Sequence, residues 1–324
     1  MSKGPTARQS GSAILTAMLT VAMVATLASA ALWQQWRNTE IERAERSRLQ
    51  AHWILLGALD WARLILQEDG RDNNVDHLSE PWSVPLREAR LSTFLAGAQT
   101  SSTDGDVPDV FLSGQISDVQ ARLNLANLVQ VGIVDPSAQT AFQRLFQQLG
   151  VSNGVLTTLI QQLQKAQKAA AAGTSSAAST VPTRLSQLVW LGVSPALLEQ
   201  LTPFVTWLPV PTPVNLNTAP AEVVYAAVKE MTWSKAQNFV QNRTQQHLNS
   251  LTDLPARAGL SKMAFDPSLQ AVNTRFFEVR ATLRDDLGST SELSVVQRDG
   301  VQTQVLWRGP VPAQNATSET DSPR

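Results

Sequence analysis

No charged residue interrupts Ser12–Trp33, SAILTAMLTVAMVATLASAALW, and that stretch limits what the chain can become more than any other. Coiled as an α-helix it spans roughly 33 Å, enough to cross the hydrocarbon core of a bilayer. Lys3, Arg8 and Gly11 lie ahead of it. Helical periodicity then runs on through RNTEIERAERSRLQAHWILLGALDWARLIL to about Leu66. The reading is one helix of roughly 55 residues, half suited to lipid and half to water.

Three fates of this segment stay open on the residues alone. Ala28-Ser29-Ala30 fits the small-x-small site of a secretory signal peptide, although the apolar run exceeds the usual 7–15 residues. An uncleaved single-pass anchor is the plainest alternative. Removal of a short leader after Gly11, leaving the helix whole, is the third. All three export the bulk of the chain, because positive charge ahead of the helix holds the N-terminus in the cytoplasm. Trp33 and Trp36 suit the membrane exit, where amphipathic indoles settle.

The net charge is -1, and loss of Lys3 and Arg8 would make it -3, which disfavours nucleic acid as a partner. The absence of cysteine excludes disulfides, thiolate catalysis and Cys-ligated metals. His52, His77 and His247 are far apart in sequence and match no zinc pattern, and there is no G-x-S-x-G elbow or phosphate loop, so no enzyme is expected.

Beyond the membrane the helix carries Glu42 and Arg46 as an i,i+4 pair, with Glu45 three from Arg48. Leu49, Trp53 and Leu56, with Leu55, Leu59, Ala62 and Leu66, form a broad apolar face. Such a face packs on the chain's own sheet or receives a partner helix. The segment EDGRDNNVDHLSEPW, with Asp69, Asp72, Asp76 and Glu80, matches no Ca²⁺-loop spacing and reads as a solvated loop.

Val110–Ile116 and Val119–Leu125 read as short strands around Ser117-Asp118, followed by a helix near Pro136 to Leu149. Residues 165–183, KAQKAAAAGTSSAASTVPT, hold little apolar bulk and read as a flexible bridge. LSQLVWLGVS and LTDLPARAGLS echo each other as Leu-rich turns closing on Gly and a helix-starting Ser. Between them Thr218 is placed as a helix N-cap, with Pro220 and Glu222 in the first turn. At the end of the chain Phe277, Val279, Ala281 and Leu283 alternate with polar residues, and Asp299-Gly300 suits a type I′ hairpin. Strands on both sides of a long helical block imply an insertion into one sheet.

The chain resembles the minor pseudopilin protein K family of bacterial type II secretion. Gly11 with the apolar helix carries the likeness first. Asp76-His77-Leu78-Ser79-Glu80-Pro81-Trp82, Gly114-Gln115-Ile116-Ser117-Asp118, Asn124-Leu125-Ala126-Asn127-Leu128 and Val214-Asn215-Leu216-Asn217-Thr218-Ala219 follow in the family's order. The resemblance implies an α+β fold: a pilin-like long N-terminal transmembrane helix packed on an antiparallel sheet, with a large inserted all-helical domain of SAM-like or helix-hairpin-helix-like type. The expected divisions are a leader at 1–11, a membrane helix at 12–33, its periplasmic continuation at 34–66, an αβ domain at 67–128 and 273–309, an inserted domain at 129–272, and a disordered tail at 310–324. It further implies prepilin-peptidase cleavage between Gly11 and Ser12, N-methylation of Ser12, and a place at the pseudopilus tip. The implied partners are I- and J-type minor pseudopilins, the major pseudopilin and secreted substrates. The implied location is the inner membrane, with the bulk of the chain periplasmic.

At the fifth position counted from Ser12, where major pseudopilins of the family carry Glu, this chain has Thr16. A hydroxyl in lipid costs far less than an unpaired carboxylate, at roughly 2.5 kcal/mol or more for the charge. No carboxylate occurs between Asp135 and Glu199, where the family's calcium-associated acidic segments belong, so no metal or cofactor is expected. Asn-Leu-Asn-Thr-Ala also resembles DNA-binding helix-hairpin-helix modules. The corresponding turn, Lys229–Ser234, lacks the Gly such a hairpin uses to approach phosphate, and residues 215–265 carry a net charge of only +2.

Overall fold

The structure is a computed structural model that describes residues 10–72, 74–96, 110–172, 181–261 and 265–312. The leader before Ser10 and the tail after Pro312 therefore lie outside the described residues.

Helix α1 runs unbroken from Ser10 to Asp72. Its first part is exposed on every side, and among the described residues it alone is long and apolar enough to cross a membrane. Further along, Ala51, Leu55, Leu59, Ala62 and Leu66 are buried, spaced as one face of a 3.6-residue helix. Each buried Leu contributes roughly 1.5–3 kcal/mol relative to exposure.

That face lies on a five-stranded antiparallel sheet of order β1-β2-β9-β10-β11. The strands are β1 (Leu86–Arg90), β2 (Phe111–Asp118), β9 (Phe276–Asp285), β10 (Gly288–Asp299) and β11 (Gln302–Val311), the intervening numbers belonging to two-residue strands described below. Helix α2 (Leu91–Ala96) follows β1. The alternation expected in β9 is present: Phe277, Val279, Ala281 and Leu283 are buried against α1, while Glu278, Arg280 and Thr282 are half-buried. Strand β1 was not anticipated, since Leu86–Arg90 has no apolar alternation and pairs at an edge. The β10–β11 loop is Gly300-Val301, one residue later than expected. Only Gly300, at φ 60°, has positive φ, as a type II′ turn requires and a type I′ turn does not.

Strands β2 and β9 are neighbours, with Gly114 opposite Ala281 and Asp118 opposite Phe277, and everything between them is an insertion. It contains α3 (Pro136–Gln148), α4 (Asn153–Ala171), α5 (Pro195–Leu201), α6 (Ala221–Ala227), α7 (Trp233–Arg243) and α8 (Leu254–Ala258). It also holds three short ladders: β3 (Leu123–Asn124) with β6 (Val205–Thr206), β4 (Val129–Gln130) with β5 (Ile133–Val134), and β7 (Val214–Asn215) with β8 (Gln270–Ala271). The insertion thus adds short strands to its helices. Its core is one cluster that includes Leu123, Phe142, Phe146, Leu188, Val223 and Phe239. Val119, Leu208 and Phe276 pack as a separate small cluster where the insertion meets the sheet.

Three local expectations are corrected. Lys165–Ala171 continues α4 instead of forming a bridge, because Ala, Lys and Gln are strong helix formers. Ala166 there is buried, and Gln167 bonds Val129 O and Gly132 N; residues 173–180 lie outside the description. Val119–Ala121 is a 3-10 turn capped by Asp118, and only Leu123–Asn124 pairs as strand. The echo holds at its glycines, since Gly192 and Gly259 both take left-handed φ. Ser194 caps α5, whereas Ser261 donates instead to Glu230.

Candidate functional site

The motif residues scattered through the sequence converge where the end of α1, the sheet and the insertion meet. Asp76 has 1% exposure and Glu80 5%, so the solvated-loop expectation fails for both. Asp76 accepts from Arg298 Nη2 at 2.5 Å and from the Thr274 amide at 2.7 Å. Arg298 also pairs with Asp69 and lies over the Phe277 ring at 4.8 Å. Glu80 accepts from Trp82 Nε1 at 2.7 Å and from the His77 amide at 2.9 Å. Trp82, fully buried, meets Phe277 edge-on at 5.3 Å. His77 stacks on His247 of the insertion at 3.7 Å.

Asp118 forms the second centre. It accepts from Thr218 Oγ1 at 2.6 Å, the Gln120 amide at 2.7 Å and Asn215 Nδ2 at 2.9 Å. Thr218 is therefore not an N-cap; Pro220 occupies that position at α6, and the Thr218 hydroxyl serves Asp118. Asn215 also donates to Asp76 O at 3.1 Å, which links the two centres. Asn217 brackets Leu248, donating to its carbonyl and accepting from its amide. Asn124 and Asn127 both bind Thr212, and Asn124 also holds Val210 O and the Leu208 amide. Gly114 sits where a Cβ would come within 3.2 Å of Arg280 O. These side chains satisfy the backbone of turns that have no ladder to join, as burial requires.

Burial sets the electrostatics. It pushes the Asp118 carboxyl up to about 6 against the pull of its hydrogen bonds, and Asp69 to about 6, assisted by Glu80 and opposed by Arg298. Asp76 is also raised by burial, against Arg298 and the Thr274 amide. Burial lowers His77, and His247 acts in the same sense. Carboxylate oxygens of Asp69, Asp76 and Glu80 lie within 4.8 Å of one another, a spacing that suits a divalent cation. Arg298 already supplies positive charge to two of them. These groups are buried and bonded to one another across the end of α1, the sheet and the insertion, so the arrangement joins parts.

Arg298 escaped the sequence reading, although one signal was present. It shares the inward parity of Ser294 and Val296 on β10, and a charge at an inward position needs a partner.

The remaining expected residues are on α1. Ser10–Ser12 is already helical, and the Thr16 hydroxyl donates back to Ser12 O and Ala13 O at 3.0 Å. Leu49 and Trp53 are more than 60% exposed and Leu56 is half-buried, so the buried face is the neighbouring one through Leu55 and Leu59. A groove beside it, lined by Ala58, Trp61, Ile65, Val84 and Leu86, is also apolar.

A membrane-type helix that becomes the spine of an antiparallel head, interrupted by a mainly helical insertion, defines a pilin-like protein of the pseudopilin class. Two models of the family described as type II secretion system (T2SS), protein K, match residues 121–210 and 214–274. The type II secretion system protein K of Pseudomonas aeruginosa is 28% identical over 323 residues, covering 93% of this chain and 89% of the relative. That of Pectobacterium carotovorum is 26% identical over 332 residues, covering 93% and 96%. The solved GspK-GspI-GspJ complex of enterotoxigenic Escherichia coli contains a chain of the same fold, with TM-score 0.60 and 18% identity over 84% of this chain and 99% of that one. Over residues 121–210 and 214–274, and along most of its length, the chain is thus similar to type II secretion system protein K.

Proposed function

We propose that this minor pseudopilin caps the tip of the type II secretion pseudopilus, anchored in the inner membrane by α1 with its head in the periplasm. The observation that carries the reading is where the insertion leaves the head. Ala51 and Leu55 of α1 pack on Leu112 and Leu283, whereas Leu66 packs with Phe277 and Val296 beside Asp118. The insertion therefore starts at the end of the head away from the membrane segment, where it would obstruct another subunit stacking above. Thr16 supports the same place, because its hydroxyl is satisfied by its own helix and offers no charge to a neighbour's N-terminal ammonium.

Processing between Gly11 and Ser12, with methylation of Ser12, belongs to this reading, as do I- and J-type partners like those in the Escherichia coli complex. Capping would assist assembly of the pseudopilus and export of folded proteins, a structural role without catalysis. A nucleic-acid role is disfavoured because Arg144 donates to the carbonyls of Lys229 and Met231, so the α6–α7 turn is filled from within. Labelled subunits should mark one end of each pseudopilus and be substoichiometric. Label along the whole length would sink the tip assignment. Intact-mass measurement should give a chain beginning at Ser12, and a start at Ala31 would indicate a secretory signal instead.

A further inference from the structure

A second polar site lies in the insertion, next to the junction, and is independent of the secretion reading. The cleft between the end of α7 and α8, of about 570 Å³, is lined by Asn242, Arg243, Gln245, Gln246 and Arg257, with Phe239 at its wall and no carboxylate. Arg243 is only 7% exposed, yet no acidic residue pairs with it among the described residues. Its Nη1 donates to Leu216 O at 2.6 Å, while its Nε is buried without a partner. Burial pulls its pKa down to about 10, so the cation persists at neutral pH. Arg257 is exposed and donates to Gln246 Oε1. Asp253, one turn before Arg257, is turned toward the Asn249 and Ser250 amides at 3.2 and 3.0 Å.

A buried cation without a counter-charge is costly, and a guanidinium pair beside carboxamide donors suits the planar fork of a carboxylate or the oxygens of a phosphate. We propose that this cleft is an oxyanion-binding site, with Arg243 as its fixed cation, Arg257 as its mobile clamp, and Asn242, Gln245 and Gln246 as neutral donors. The oxyanion is either a free small anion or an acidic side chain presented by a protein partner. A bound oxyanion supplies the charge that the chain itself omits.

The test uses the full-length chain in detergent, titrated at constant ionic strength with inorganic phosphate in one arm and an acetylated Glu-Asp-Glu peptide amide in the other. Calorimetry and thermal unfolding should show saturable binding of at least one probe with a rising midpoint. Arg257→Gln should weaken it about tenfold, Arg257→Lys less, and Lys165→Gln, a cation outside the cleft, not at all. Binding of the peptide alone assigns the source to a protein partner, and binding of phosphate alone to a small anion. Overturning results are no saturable response to either probe, or equal binding by Arg257→Gln.

Discussion

Arg298, near the end of β10, holds Asp76 at 2.5 Å across 222 residues of chain, with both side chains less than a tenth exposed. The same guanidinium pairs with Asp69 at the end of α1. One cation thus fixes the spine helix, the loop that follows it and the outer hairpin.

Arg298→Met should therefore destabilise the chain by about 3–5 kcal/mol, the usual cost of leaving a buried partner uncompensated. Adding Asp76→Asn to that variant should recover part of the loss. Denaturant unfolding of the detergent-solubilised protein measures both, and an isolated Arg298→Met change below about 1 kcal/mol would contradict the pairing.

Asp118 gives the pH dependence its sign. Its folded pKa of about 6 stands above the ordinary 3.8, so the folded state binds the proton more tightly. The resulting stabilisation is complete below pH 3.8 and lost as pH rises through about 6. For a shift of this size it is on the order of 3 kcal/mol. Unfolding free energy should rise between pH 7 and pH 5, with a shallower slope in Asp118→Asn.

Two glycines of α1 should respond oppositely. A Cβ on Gly70 would fall 2.4 Å from Gly300 O, backbone against backbone, so Gly70→Ala should cost about 1–3 kcal/mol. A Cβ on Gly57 meets nothing within 4 Å, so Gly57→Ala should gain about 0.5–1 kcal/mol from helix propensity. Thermal midpoints of the two variants decide this.

The two faces of α1 separate folding from assembly. Leu59→Ala should lose about 2–5 kcal/mol, since that side chain is 3% exposed. Leu49→Glu and Trp53→Ala, on the exposed face, should change stability by less than about 0.5 kcal/mol. Under the proposed function they should still weaken co-purification with other minor pseudopilins.

The spine helix and β9 were legible because their patterns are local: an uncharged run over Ser12–Trp33, and strict alternation from Phe277 to Leu283. The motif residues stood out, but their purpose did not. Asp118, Asn215 and Thr218 meet across about a hundred residues, and no periodicity announces such a meeting. Thr218 beside Pro220 satisfied every local rule for an N-cap, and the tertiary demand of Asp118 overrode it. The Ala-rich stretch has the scarce apolar bulk of a loop, yet helix propensity carries α4 through it, and Ala166 needs only a methyl to fill its place.

The insertion departs from β2 and returns on β9 at facing positions, Asp118 opposite Phe277. A load applied to the inserted domain therefore enters the head through two adjacent strands packed on α1, and Arg298, bonded to Asp76 and to Thr274 O, passes part of it to the β10–β11 hairpin. Under the proposed function, a force along the spine and a resistance at the insertion would meet at these strands, with the hydrogen bonds of the β2–β9 ladder among the links between them.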